Sequence, residues 1–127
     1  MTSQPDNKTI VQEFYEIAFN QRRPVEAVAD YIGDHYTQHD PMSGDGPGSF
    51  IAFVNGVAEA FPDARTEFKR FIADGDLVAV HSHFIRQPGD RGMALVDIFR
   101  LEGGKIVEHW SVMQEVPDTA AHDNTMF

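Results

Sequence analysis

The sequence predicts an α+β fold in which N-terminal helices pack on a strongly curved, mainly antiparallel sheet, the whole forming a cone-shaped barrel. Three observations lead there. Apolar residues recur at helical spacing through the first half. From residue 66 onward they alternate in short runs broken by turn residues, as strands do. The chain is 127 residues long and 42% hydrophobic, without a repeat, linker or low-complexity tract, which fits one domain over 1–127.

The elements follow in order. Ile10, Phe14, Ile17 and Ala18 form one apolar stripe, with Asp6 placed to cap the helix that carries it. Arg22-Arg23-Pro24 interrupts the stripe, and a shorter helix carries Val25, Val28, Ala29 and Ile32 to its end at Gly33. The segment 40–48, rich in Gly and Pro, is the strongest loop signal in the chain. A third helix, capped by Ser49, sets Phe50, Phe53, Val54, Val57 and Phe61 on one face and is closed by Pro62. Strands are expected over 66–72, 77–86, 93–101 and 106–115, joined by turns at 73–76, 87–92 and 102–105. The mouth of a cone built this way is a natural ligand pocket.

Composition narrows the function. Ten basic residues face 20 acidic ones, a formal charge of −10. Nucleic acid is an improbable partner, because Lys and Arg supply much of that affinity by counterion release, and anionic membrane surfaces are disfavoured for the same reason. Cysteine is absent, so neither a disulfide framework nor a thiolate nucleophile exists. The N-terminus is polar and no apolar run approaches the ~18 residues of a spanning helix. The expected setting is cytoplasmic.

The most informative side chains lie in the strand half. In His81-Ser82-His83 the two imidazoles share one face of a strand, by the alternation of side chains. Asp97 sits in the apolar run Ala94-Leu95-Val96-Asp97-Ile98-Phe99, sharing its face with Leu95 and Phe99. A carboxylate among such neighbours needs a partner or a task, because burying it unpaired costs several kcal/mol. Imidazoles beside a half-buried carboxylate are the material of proton transfer near neutral pH.

The order of elements, together with Tyr36-Thr37-Gln38-His39-Asp40-Pro41, Asp74-Gly75-Asp76-Leu77-Val78-Ala79-Val80-His81, Asp97-Ile98-Phe99-Arg100 and Gly104-Lys105-Ile106-Val107-Glu108-His109-Trp110, resembles the SnoaL-like polyketide cyclase family of the nuclear transport factor 2-like superfamily. The resemblance runs over about 8–127. It implies a metal-free and cofactor-free ring closure by aldol condensation, with an aspartate as general base and histidines lining the same pocket. Carried over by motif, the base is Asp97, with His83 and His39 as catalytic partners. His81, His109, Trp110, Tyr36 and Phe99 are the expected substrate contacts. The family commonly has Asp after the His-Trp pair; this chain has Ser111, one carboxylate fewer at that end of the pocket.

Each residue also has a plainer reading. Asp97 could pair with Arg86, Arg91 or, less readily because it alternates to the other face, Arg100, or could bond a neighbouring loop. The two histidines could be satisfied imidazoles on a half-exposed strand, and Trp110 could be core. His-x-His also suits a metal, but the early helices and the lack of a spaced downstream Glu argue against the cupin pattern, and neither metal nor cofactor is expected. His122 lies in a polar tail. The ligand expected is small, largely apolar and carbonyl-bearing, met by aldol-type cyclisation or isomerisation. A non-catalytic binding or assembly module, and a hydrolase in which Asp97 activates water, are the rival readings. Apolar residues on the outer sheet face, such as Val78, Val80 or Ile98, would need cover, so a homodimer through the sheet is expected.

Overall fold

A computed structural model describes residues 5–127. Helix α1 (Asn7–Tyr15) begins where expected: the Asp6 carboxylate accepts the Thr9 N–H at 2.8 Å. Its stripe buries Ile10, Val11, Phe14 and Tyr15. The helix widens into a π-helical turn, Glu16–Asn20, closed by the Gln21 N–H on the Glu16 carbonyl. That turn delivers the Asn20 amide to β2 (Arg65–Asp74), where it accepts from the Thr66 N–H and donates to the Thr66 carbonyl, at 2.9 and 3.0 Å.

Helix α2 (Pro24–Tyr31) starts on its proline and stops before the expected Gly33. Ile32 is already extended and opens β1 (Ile32–Gln38), a strand the sequence reading missed. The reason is physical. Only Ile32 and Tyr36 of β1 are buried, too sparse an alternation to read, and the strand is held instead by parallel pairing with β5 (Lys105–Glu115), remote in sequence. Helix α3 (Pro47–Ala60) is entered through Gly46 at φ 87°, not capped by Ser49, because Pro47 pre-sets the first turn.

Strands β2, β3 (Leu77–Ile85), β4 (Met93–Glu102) and β5 form an antiparallel meander, and β1 joins parallel at the far edge, giving the order β1-β5-β4-β3-β2. The turn between β4 and β5 is Gly103-Gly104, with φ of 57° and 80°, the conformation that a two-residue hairpin needs and a side chain resists. The sheet is mixed and does not close. The helices lie on its inner face, and Phe14 is the hub of the core: wholly buried, its ring meets Tyr15, Tyr31, Phe50 and Phe99.

Register decides which residues face inward. Val80 lies directly opposite Asp97 and Val78 opposite Phe99. Val78 and Val80 are therefore wholly buried core residues, a correction to their expected place outside. Ile98 does face outward, with Val96 and Val112 exposed on the same side. The tail folds back on that outer face, where the Phe127 ring stacks on His83 at 4.1 Å and on His81 at 5.6 Å. Among the described residues no helix is long and apolar enough to cross a membrane.

Phe14→Ala should cost about 3–5 kcal/mol of unfolding free energy, because four aromatic neighbours cannot collapse together into the void. Urea denaturation reads this directly, and a loss under 1 kcal/mol would remove Phe14 from the centre of the core.

Candidate active site

Aromatic side chains leave space between the sheet and the helices. Tyr15 and Phe19 from the first helical segment and Phe50, Phe53 and Phe61 around α3 stand over Leu95 and Phe99 of β4, enclosing a cavity of about 270 Å³. Across its apolar floor runs one polar row. Ser82 comes from β3, Asp97 from β4, and Ser111 and His109 from β5. Asp97 and Ser111 are directly opposed in the ladder, as are Phe99 and His109.

Asp97 is 1% exposed, on the central strand of the sheet. Its Oδ1 meets His109 Nε2 at 2.8 Å. The other ring nitrogen, Nδ1, meets the Gln38 side-chain oxygen at 2.7 Å. Gln38 is the register partner of His109 across the parallel β1–β5 pair, and the same oxygen accepts the Asp40 N–H at 3.0 Å. The backbone beside it is tied down: the Gln38 N–H donates to Asp45 Oδ1, and Gly46 N–H to the Tyr36 carbonyl. The His109 ring lies between Phe99, at 4.7 Å, and Tyr36, at 6.1 Å, both near-parallel to it.

Asp97 Oδ2 accepts no hydrogen bond among the described residues. Among the described residues, the buried side-chain oxygens without a hydrogen bond are Asp97 Oδ2 and the hydroxyls of Tyr36, Ser43, Ser82 and Ser111. All five residues line the cavity. Each such group costs about 1–3 kcal/mol when left unmet, so their gathering around one space makes that space the candidate site. Burial, then the charge of Asp97, raises the Tyr15 hydroxyl well above its ordinary pKa, and the same causes in the same order raise Tyr36. Both phenols stay protonated and able to donate. Among the described residues no lysine or arginine lines the cavity.

Of the residues singled out from sequence, Asp97, His109, Tyr36 and Phe99 meet in the cavity. His83, His81, His39 and Trp110 do not. His81 and His83 do share a face, but they stand opposite Val96 and Ala94, one residue out of phase with Asp97. His83 Nε2 instead meets the Arg91 carbonyl at 2.6 Å, and His81 contacts Arg70. The parity between Asp97 and the histidines depends on the length of the 86–92 connection, which alternation within either strand does not reveal. His39 follows β1 rather than a helix and points away from the cavity, with Nε2 at 2.8 Å from Glu108 and its ring flat on Trp110 at 4.8 Å.

Tyr15, one of the tyrosines that could line the cavity by sequence, does so; Gln38, Asp40 and Ser82 are among the lining residues that sequence reasoning passed over. Ser82 had a signal: it continues the inward phase of Val78 and Val80. Gln38 had one too, sharing a phase with Tyr36, but only once 32–38 is known to be a strand. Asp40, 6% exposed, adds a second carboxylate to the lining, its Oδ1 accepting the Met42 N–H. The described residues contain no cluster of three or more His, Asp or Glu arranged to hold a metal.

Residues 11–109 match the model of the SnoaL-like domain. Solved structures share the fold. IdmH from Streptomyces antibioticus, named as a candidate polyketide cyclase, superposes with a TM-score of 0.71 at 22% identity, over 86% of this chain and 92% of its own. A candidate polyketide cyclase from Acidithiobacillus ferrooxidans gives 0.71 at 23%, over 89% and 91%. A candidate isomerase of the SnoaL-like family from Agrobacterium tumefaciens gives 0.72 at 19%, over 85% and 97%. No curated protein sequence matches the chain.

The chain has three tyrosines, and the third, Tyr31, is also raised, to about 12, by its hydrogen bond to Glu13. In the folded protein no phenolate absorbance should grow in near pH 10, the ordinary tyrosine value. The folded chain holds these protons more tightly than the unfolded chain does. Their contribution to stability is therefore full below pH 10 and is lost as pH rises beyond it. Spectrophotometric titration with circular dichroism checks this; a tyrosine ionising near pH 10 before unfolding would contradict it.

Proposed function

The chain belongs to the SnoaL-like domain family, and on that premise we propose that it is a cofactor-free enzyme working by general acid–base chemistry on a small carbonyl compound. One observation carries the reading. A buried carboxylate is anchored through one oxygen to a histidine and presents its other oxygen, unpartnered, to an apolar cavity. Asp97 Oδ2 removes a proton α to the substrate carbonyl, and the electron pair stays on the substrate as an enolate. The enolate oxygen is met by the Tyr36 hydroxyl, a donor that burial keeps protonated. Attack of the enolate carbon on a second carbonyl closes a ring, the electron pair of that C=O moving onto its oxygen, which takes the proton back from Asp97; return of the proton at another carbon instead isomerises. Acid–base assistance of this kind supplies about 10²–10⁴-fold, or roughly 3–5 kcal/mol. The remaining acceleration comes from orientation in a dry site.

The cavity also describes its ligand. At about 270 Å³ it stands near the lower end of ligand pockets, roughly 300–1,000 Å³. Aromatic walls favour a flat, apolar body, the unmet hydroxyls favour a few ligand oxygens, and a lining without lysine or arginine among the described residues favours an uncharged molecule. A non-catalytic binder is the second reading, favoured by Ser111 in place of the family's common Asp. We further propose that a second copy covers the outer face at Val96, Ile98 and Val112. Light scattering should then give a dimer at micromolar concentration, and a monomer would refute the assembly.

Asp97→Asn keeps the shape and the bond to His109 but removes the basic oxygen. Deuterium exchange into an active-methylene ketone should fall by about two orders of magnitude or more, with the fold intact. Unchanged exchange together with a large drop in melting temperature would make Asp97 a structural residue and remove the proposed base.

A further inference from the structure

The hydrogen bonds around His109 settle more than its position. The Asp40 N–H can only donate, so the end of the Gln38 amide that it meets is the oxygen. That same oxygen faces His109 Nδ1 and can only accept, so Nδ1 carries a hydrogen. The 2.8 Å contact between His109 Nε2 and Asp97 Oδ1 needs a hydrogen of its own, on one atom or the other. A histidine that keeps its single hydrogen between ring and carboxylate would leave this pair with a charge of −1. Here the pair holds one hydrogen more.

We propose that Gln38 is a positioning residue that fixes a hydrogen on His109 Nδ1, so that the Asp97–His109 pair carries a second, shared hydrogen and is uncharged as a whole in the resting protein. The surroundings agree with this. The titratable groups facing the pair are Tyr15 from α1, Tyr36 from β1 and Asp40 after β1, while α3 contributes the uncharged Phe50 and β3 the uncharged Ser82. Both phenols are neutral. An uncharged pair avoids placing a net negative charge in a buried site whose lining, among the described residues, has no lysine or arginine.

The consequence for catalysis rests on Asp97 as the base; the hydrogen count does not. When the substrate C–H bond breaks, its proton bonds to Asp97 Oδ2, and its electron pair remains on the enolate. The pair thus moves from neutral to a charge of +1 while the substrate moves from neutral to −1. The two charges grow side by side, and their mutual attraction in a medium of low dielectric offsets part of the cost of creating them there. An uncharged pair is also matched to an uncharged substrate, whose entry places no net charge in the cavity.

Nitrogen NMR of histidine-labelled protein tests this without any substrate. The six histidines are sorted with a His109→Gln variant. In the wild-type protein at neutral pH, His109 Nδ1 should give the signature of a hydrogen-bearing nitrogen. Gln38→Met removes the acceptor, and Nδ1 should then shift to the signature of a bare nitrogen as the ring keeps its hydrogen toward Asp97. Gln38→Glu restores an acceptor and should restore the wild-type signature. In the exchange assay Gln38→Met should lower kcat roughly ten- to hundredfold with KM little changed, and Gln38→Glu should regain most of it. A bare Nδ1 in the wild type overturns the proposal, even where Gln38→Met does not fold. An Nδ1 hydrogen that survives Gln38→Met overturns the role of Gln38. Expected nitrogen signatures with no exchange by the wild-type protein leave the hydrogen placement standing and remove Asp97 as the base.

Discussion

A carboxylate on the central strand of a sheet, facing helices rather than water, is tolerated only if something holds it. The hydrogen bond between Asp97 and His109 does so, and much of the architecture follows from keeping it. His109 needs a partner for its far nitrogen, and the sheet supplies one by adding β1 parallel to β5, with Gln38 in register with His109. Gln38 in turn is aimed by Asp40 and Asp45, so the 39–46 segment has to turn tightly before α3. The parallel edge strand, an unexpected feature beside an antiparallel meander, is therefore what completes the support of the buried acid.

Much of this was legible in the sequence, and the gaps have a common cause. Helices α1 and α3, the four strands of the meander, and Asp97 with Phe99 on an inward phase all follow from local periodicity, which sequence displays. The strand β1 does not, because two buried residues in seven make no pattern and its pairing partner lies some seventy positions away. The site divides along the same line. Alternation placed His81 and His83 together correctly, yet could not say whether they shared a face with Asp97 across the intervening turn. The family pattern pointed to His39, but the strand ending at Gln38 turns glutamine inward and histidine outward. What sequence conceals is relative phase between elements, and a functional site is made of relative phase.

The same cavity weakens the fold that contains it. Its aromatic walls could have closed on one another, as those around Phe14 do within a few ångströms of it. Instead serine occupies the inward phase at 82 and 111, where Val78 and Val80 show what a core-forming choice looks like. Small hydroxyls leave volume unfilled and hydrogen bonds unmade, each a loss of about 1–3 kcal/mol to a protein whose margin is typically 5–15. A fold keeps such groups where a ligand meets them.

The adjacent residues His109 and Trp110 show how one strand serves two surfaces. Alternation sends His109 into the cavity and Trp110 to the outer face, so the pair cannot act on one site together. Outside, Trp110 stacks on His39, which reaches Glu108, and Glu108 is shared with Arg100 at 2.7 Å. The guanidinium of Arg100 and then His39 hold Glu108 below the ordinary carboxylate range. This outer network joins the residue after β1 to β5 on the face opposite the Gln38–His109 contact. The β1–β5 seam is thus held from both sides, by a polar bond within and by a ring stack and the contact between His39 and Glu108 without. Since the register of that seam sets where Gln38 meets His109, the outer residues fix the strand on which the inner hydrogen bond depends.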